Sequence, residues 1–145
     1  IQNINILILT STVKYLGELR TQSTHVSSGK SIITDAPIDN HGKGEAFSPT
    51  DTVATALASC LLTIMGVKAK QLKIDIRNTT ANVKKIMGVD PRRINSIIIN
   101  VYFKKDFDEK IKKILEKAAL TCPVYYSLNS SLKKEIQFFW PLEKS

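Results

Sequence analysis

The stretch FSPTDTVATALASCLLTIMGVKAK, residues 47–70, decides how the rest of the chain is read. It predicts one long helix. Ser48 is a good N-cap, because its hydroxyl can accept from a backbone N–H left unpaired in the first turn. Pro49 then falls at the first helical position, where a missing N–H costs nothing. Asp51, three residues after Ser48, completes a capping box. At the other end Gly66 is a candidate break, and Lys68 and Lys70 suit the negative end of the helix dipole. Between those ends Val53, Leu57, Leu61, Leu62, Ile64 and Met65 leave little polar surface. A helix apolar nearly all round is expected to be buried. Ala54, Ala56, Ala58 and Ser59 would let a second helix come close. Cys60 is therefore expected inside the molecule or at an interface.

At 145 residues the chain reads as one domain, 1–145, long enough to bury a core. With 43% hydrophobic and 23% charged residues it is ordinary globular material. The apolar run in the helix, about 15 residues, falls short of the roughly 20 needed to cross a bilayer, so no membrane partner is expected. Residues 4–9 lack a basic segment before them and a small-residue cleavage site, so they do not read as a signal peptide. The formal charge of +8 raises nucleic-acid binding as a class. But Lys110, Lys112, Lys113 and Lys117 stand beside Asp108, Glu109 and Glu116, the pattern of a solvated helix face, so no nucleic-acid partner is expected. Two cysteines 62 positions apart fit a reducing compartment, hence the cytoplasm, better than a disulfide scaffold.

Outward from the helix, residues 3–9 and 12–21 read as strands rich in β-branched residues, with Gly17 as a bulge. Residues 27–29, Ser-Ser-Gly, signal a turn, and 31–34 a third strand. Residues 35–45 (DAPIDNHGKGE) are a loop by every local signal. After the helix, 72–86 and 94–103 read as strands around a turn at Asp90-Pro91. An amphipathic helix is predicted over 106–120 from Ile111, Ile114, Leu115 and Ala118. A further helical turn is expected at 124–128 and a last strand over 133–139. Strands and helices do not alternate singly, so the class is α+β.

Two thiols are the residues most able to do chemistry. Cys60 taken alone is a small buried hydrophobe. Cys122 sits between Thr121 and Pro123, where one helix ends and another turn begins, and exposed backbone N–H groups there can stabilise a thiolate. His25 and His41 have no spacing that would make a zinc set with the cysteines. Neither a metal nor another cofactor is expected.

SPTDTVATALASC, followed 62 residues later by CPV, resembles the OsmC/Ohr family of thiol-dependent peroxidases. The likeness extends over nearly the whole chain. It implies an OsmC-like fold, antiparallel sheets around a long buried central helix, and an intertwined homodimer with sites at the subunit boundary. It also implies reduction of an organic hydroperoxide. Cys60 would then be the peroxide-attacking cysteine and Cys122 the resolving one. The two would close an intramolecular disulfide that an outside dithiol, of which a lipoyl group is one type, reduces again. An apolar lining suits alkyl or fatty-acid hydroperoxides.

Cys60 lies twelve residues, about 18 Å, from the helix start, too far for the dipole to ionise it. A cation is needed. The resemblance points to Arg20, with Arg92 and Arg93 as competitors. Family members carry a glutamate after the proline to orient this arginine; here Thr50 holds that place. Asp51 is the nearest acid, with Glu45 and Glu18 as alternatives. Nine residues at ~100° each put Asp51 opposite Cys60 on the helix, so it would act through an arginine. Thr63 shares the face of Cys60 and could donate to it, or satisfy its own backbone. Two other functions are kept open: a redox or binding protein on the same fold with little peroxidase turnover, and a basic binding module whose cysteines only pack the core. Reactivity of Cys60 separates them.

Overall fold

The structure, a computed structural model, describes residues 9–142. The strand expected over 3–9 lies, but for Leu9, outside the described residues. The chain divides into two compact units, residues 1–52 and 53–145.

In the first unit, β1 (Ser11–Gly17), β2 (Arg20–His25) and β3 (Ser31–Asp35) form an antiparallel sheet in that order. The single strand expected over 12–21 is instead a hairpin. Gly17, Glu18 and Leu19 all adopt left-handed conformations (φ 86°, 52° and 63°), and three such residues in a row reverse the chain. The Tyr15 hydroxyl accepts from the Leu19 N–H across this turn. The loop after β3 holds one 3-10 turn, Ile38–Asn40, and is closed by the Gly42 and Gly44 amides donating to Pro37 and Ala36. A Cβ on Gly42 would lie 1.8 Å from the Ala36 carbonyl oxygen, so this close approach requires glycine. Asp35 N–H donates to the Phe47 carbonyl, which returns the chain beside the end of β3 just before the helix begins.

The long helix α1 (Pro49–Gln71) starts as its sequence predicts. Asp51 N–H donates to Ser48 Oγ, and Ser48 N–H donates to Asp51 Oδ2, both at 3.0 Å: a reciprocal capping box. The helix ends within a residue of the stretch expected to form it. It runs through Gly66 without a break and is, by length and composition, apolar enough to cross a membrane, so the length argument made from the sequence does not hold. What it does in the second unit is form the core. Leu57, Leu61 and Met65 are fully buried with Ile97, Ile99, Val101 and Leu115. Each such side chain contributes about 2 kcal/mol by its burial. Burial all round was expected and is not found. Val53, Ala56, Ser59, Thr63 and Val67 form one exposed stripe, because the core claims only the opposite face.

The second sheet runs β4 (Thr80–Gly88), β5 (Arg93–Tyr102), β6 (Lys133–Phe139). The expected strand over 72–86 begins only at Thr80. Before it, Lys73 and Asn78 turn the chain with positive φ, and Asp75 accepts from the Arg77 N–H. Every described strand pair is antiparallel, as expected, except β5 with β6, which is parallel. A parallel pair needs a crossover. It is made by α2 (Glu109–Ala119) and the short α3 (Pro123–Ser127). Phe103 and Trp140 stack at 3.6 Å at the end of this sheet, and Trp140 Nε1 donates to Glu116 of α2.

Ser48→Ala removes the acceptor for the Asp51 N–H and leaves the first turn of α1 one bond short. A loss of about 1 kcal/mol is expected, or roughly 3 °C in Tm by thermal unfolding. An unchanged Tm would mean that the box does not hold the helix start.

Candidate active site

In the second unit the core stripe of α1 fixes the rotation of the helix, and with it Cys60, which is half-buried against the core cluster. Cys122 comes to it from the other side. The α2 helix ends at Ala119, the Thr121 and Cys122 amides donate back to the Ala118 and Ala119 carbonyls, and Pro123 opens α3. Pro123 has no N–H to lose at that position and forces Cys122 into the extended backbone of an N-cap. The Cys122 sulfur accepts from the Tyr125 N–H at 3.2 Å and is wholly buried. Cys60 is near enough to act on it: the neighbouring thiol is one cause of the raised Cys122 value. The two residues that the sequence could not bring together are neighbours, both as free thiols.

Burial pushes the Cys122 thiol up, and the neighbouring Cys60 pushes it further; the Tyr125 N–H opposes both and does not win. Cys122 thus holds its proton more firmly than an ordinary thiol. Thr63 Oγ1 donates to the Ser59 carbonyl at 2.8 Å, so its hydroxyl hydrogen goes to the helix backbone and not to Cys60.

In the first unit, Arg20 stands directly opposite Asp35 in the β2–β3 register. Its Nε and Nη2 donate to the two Asp35 oxygens at 2.7 and 2.8 Å, a bidentate pair, and Nη2 also reaches Glu45 Oε2 at 3.0 Å. Asp35 is 1% exposed and accepts a further bond from the Glu45 N–H. Arg20 holds its proton more firmly than an ordinary arginine, and Arg20 keeps the Asp35 carboxyl below the usual carboxylate range. Of the acids considered from the sequence, Glu45 is on Arg20, Glu18 pairs with Lys43, and Asp51 is in the capping box. Asp35 was missed. Its residue type reads as a loop start, and nothing local reveals that it faces Arg20 across two strands. Arg92, in the turn before β5, and Arg93, its first residue, are exposed, and Arg93 donates to the Pro91 carbonyl. His25 pairs with Ser28 in the turn after β2, and His41 caps the 3-10 turn.

Two measurements check this geometry. Mass spectrometry after brief alkylation of the reduced protein near neutral pH is expected to find Cys60 modified well before Cys122, which is buried and protonated. Equal labelling would contradict the arrangement. For Asp35, pairing lowers the folded-state value, so its stabilisation is complete above about pH 4 and is lost as pH falls through that lowered value. Asp35→Asn should therefore lower Tm clearly at about pH 6, with the gap to wild type closing toward about pH 3. A gap independent of pH would remove the ion pair as its cause.

The family model for OsmC-like protein matches residues 42–137. Among solved structures, one from Psychrobacter arcticus 273-4, provisionally described as an osmotic stress induced and detoxification response protein, is 50% identical. The match covers 91% of this chain and 96% of that one, with a TM-score of 0.89. An OsmC-like protein from Mycoplasma pneumoniae is 18% identical over 90% of this chain and 94% of its own, with a TM-score of 0.75. An OsmC organic hydroperoxide resistance protein from Legionella pneumophila is 14% identical over 90% and 97%, with a TM-score of 0.70. The last two show likeness of fold. No curated protein matches the chain significantly. With two thirds of its length matched by the family model and 50% identity to the Psychrobacter protein over 91% of the chain, this chain belongs to the OsmC-like protein family.

Proposed function

We propose that the protein reduces organic hydroperoxides through Cys60 and Cys122. The observation that carries this is the pair itself: a half-buried free thiol neighbouring a fully buried one whose proton is held by burial. The Cys60 thiolate attacks the terminal peroxide oxygen. The O–O bond breaks, the alkoxide takes a proton and leaves as the alcohol, and Cys60 becomes a sulfenic acid. The sulfur of Cys122 then attacks the Cys60 sulfur. The S–O bond breaks, the Cys122 proton goes to the departing hydroxide, and water and a disulfide result. An external dithiol, of the lipoyl or a similar type, returns both thiols by exchange and is itself oxidised to a disulfide. No bound cofactor enters this cycle.

In this reading the cation that favours the Cys60 thiolate is Arg20, a role suggested by family resemblance; Asp35 and Glu45 hold its guanidinium, and Asp51 supports the start of the helix that carries the cysteine. The same likeness supports a homodimer. The exposed stripe of α1 and the apolar side chains Val13, Tyr15 and Ile32 on the first sheet agree with one. A cytoplasmic setting suits two thiols that must be kept reduced.

Stopped-flow mixing of reduced protein with cumene hydroperoxide tests the proposal. Rapid consumption of peroxide is expected, with one Cys60–Cys122 disulfide formed. Cys60→Ser should abolish it, and Cys122→Ser should leave a sulfenic acid that accumulates after one turnover. Reaction no faster than that of a free thiol would overturn the peroxidase reading in favour of a binding or redox-sensing role.

A further inference from the structure

Two helical stripes line a groove whose lining residues Ile64 and Thr121 lie four residues after Cys60 and one before Cys122. Along α1, Cys60, Ile64, Lys68 and Gln71 share one face, at spacings of 4, 4 and 3. Along the end of α2, Ile114, Ala118 and Thr121 share another, and Cys122 follows directly. Between them lies an open groove of about 380 Å³, within the size range of sites for small organic ligands. Its wall is apolar at Ile64, Val67, Ile114 and Ala118, and its cations are Lys68 and Lys117. Among the described residues neither ammonium is in an ion pair. Among the described residues no carboxylate lines the groove. Lys68 follows Cys60 by eight residues, about 12 Å along the helix, a span that calls for a long alkyl chain between the group at the sulfur and the group at the lysines.

We propose that Lys68 and Lys117 bind the carboxylate of an amphiphilic hydroperoxide whose alkyl chain lies in the groove between α1 and α2, making these lysines determinants of specificity. This rests on the peroxidase reading for its chemistry, and on the groove alone for its binding. The apolar wall takes the chain out of water, and the two ammonium groups supply charge complementarity that a neutral ester lacks.

The test compares a long-chain hydroperoxy fatty acid with its methyl ester, both below their micelle-forming concentrations, on the full-length protein. The acid is expected to react about tenfold faster, the combined effect of two partly exposed ion pairs. In the Lys68→Gln/Lys117→Gln variant the ratio should fall to about one, and the Lys68→Arg/Lys117→Arg variant should restore it. Equal rates for acid and ester, while cumene hydroperoxide is consumed, would overturn the proposal and leave the peroxidase reading standing. If no peroxide reacts, binding of oleate against methyl oleate decides. Preference for oleate that is lost in the glutamine variant supports the carboxylate site, and no preference overturns it.

Discussion

The burial of Leu57, Leu61 and Met65 against β5 is the constraint on which the second unit depends. Those three side chains lie on one stripe of α1. Once they are in the core, the rotation of the helix is no longer free. Cys60 is carried to the flank of that stripe, half-buried, where a thiol can be both held and reached. The exposed face of the helix, with Thr63 and Val67, is the remainder of the same decision. Helix propensity does not choose between these faces; the apolar area removed from water does.

Cys122 is placed by a different device. The parallel pairing of β5 and β6 requires a crossover, and the crossover ends its main helix at Ala119. Pro123 restarts the helix four residues later, and Cys122 becomes its N-cap. The sulfur then has a backbone N–H to accept from, a core that excludes water, and Cys60 as its neighbour. Burial and the thiol pair outweigh the N–H, which keeps the proton on Cys122. In the proposed cycle a resolving thiol gains from this: it remains unreactive toward peroxide until a sulfenic acid forms beside it.

In the first unit the ordering element is electrostatic. Arg20 and Asp35 face each other across β2 and β3, and the loop returns Glu45 to the same guanidinium. Asp35 is the buried partner, so it fixes the plane of the arginine, while the exposed Glu45 adds a bond that solvent weakens. Thr50 follows Pro49 in this chain, and the acids on this arginine come from a strand end and a loop.

The sequence by itself determined the long helix, its capping box and its cysteine, the order of elements after it, and the last strand to the residue, because these are local. Capping pairs residues three apart, and hydrophobic periodicity is read within one element. Only the tertiary structure decided the rest. The irregularity expected at Gly17 is there, in the register shift between Tyr15 and Gly17, but that the chain also reverses depends on three consecutive backbone conformations. That residues 72–79 turn before β4 begins depends on side-chain bonds such as Asp75 to Arg77. That only one face of α1 is buried depends on how much sheet there is to cover it. That Asp35 holds Arg20, and that Cys122 neighbours Cys60, depends on register and crossover, which join residues 15 and 62 positions apart by contacts no local pattern encodes.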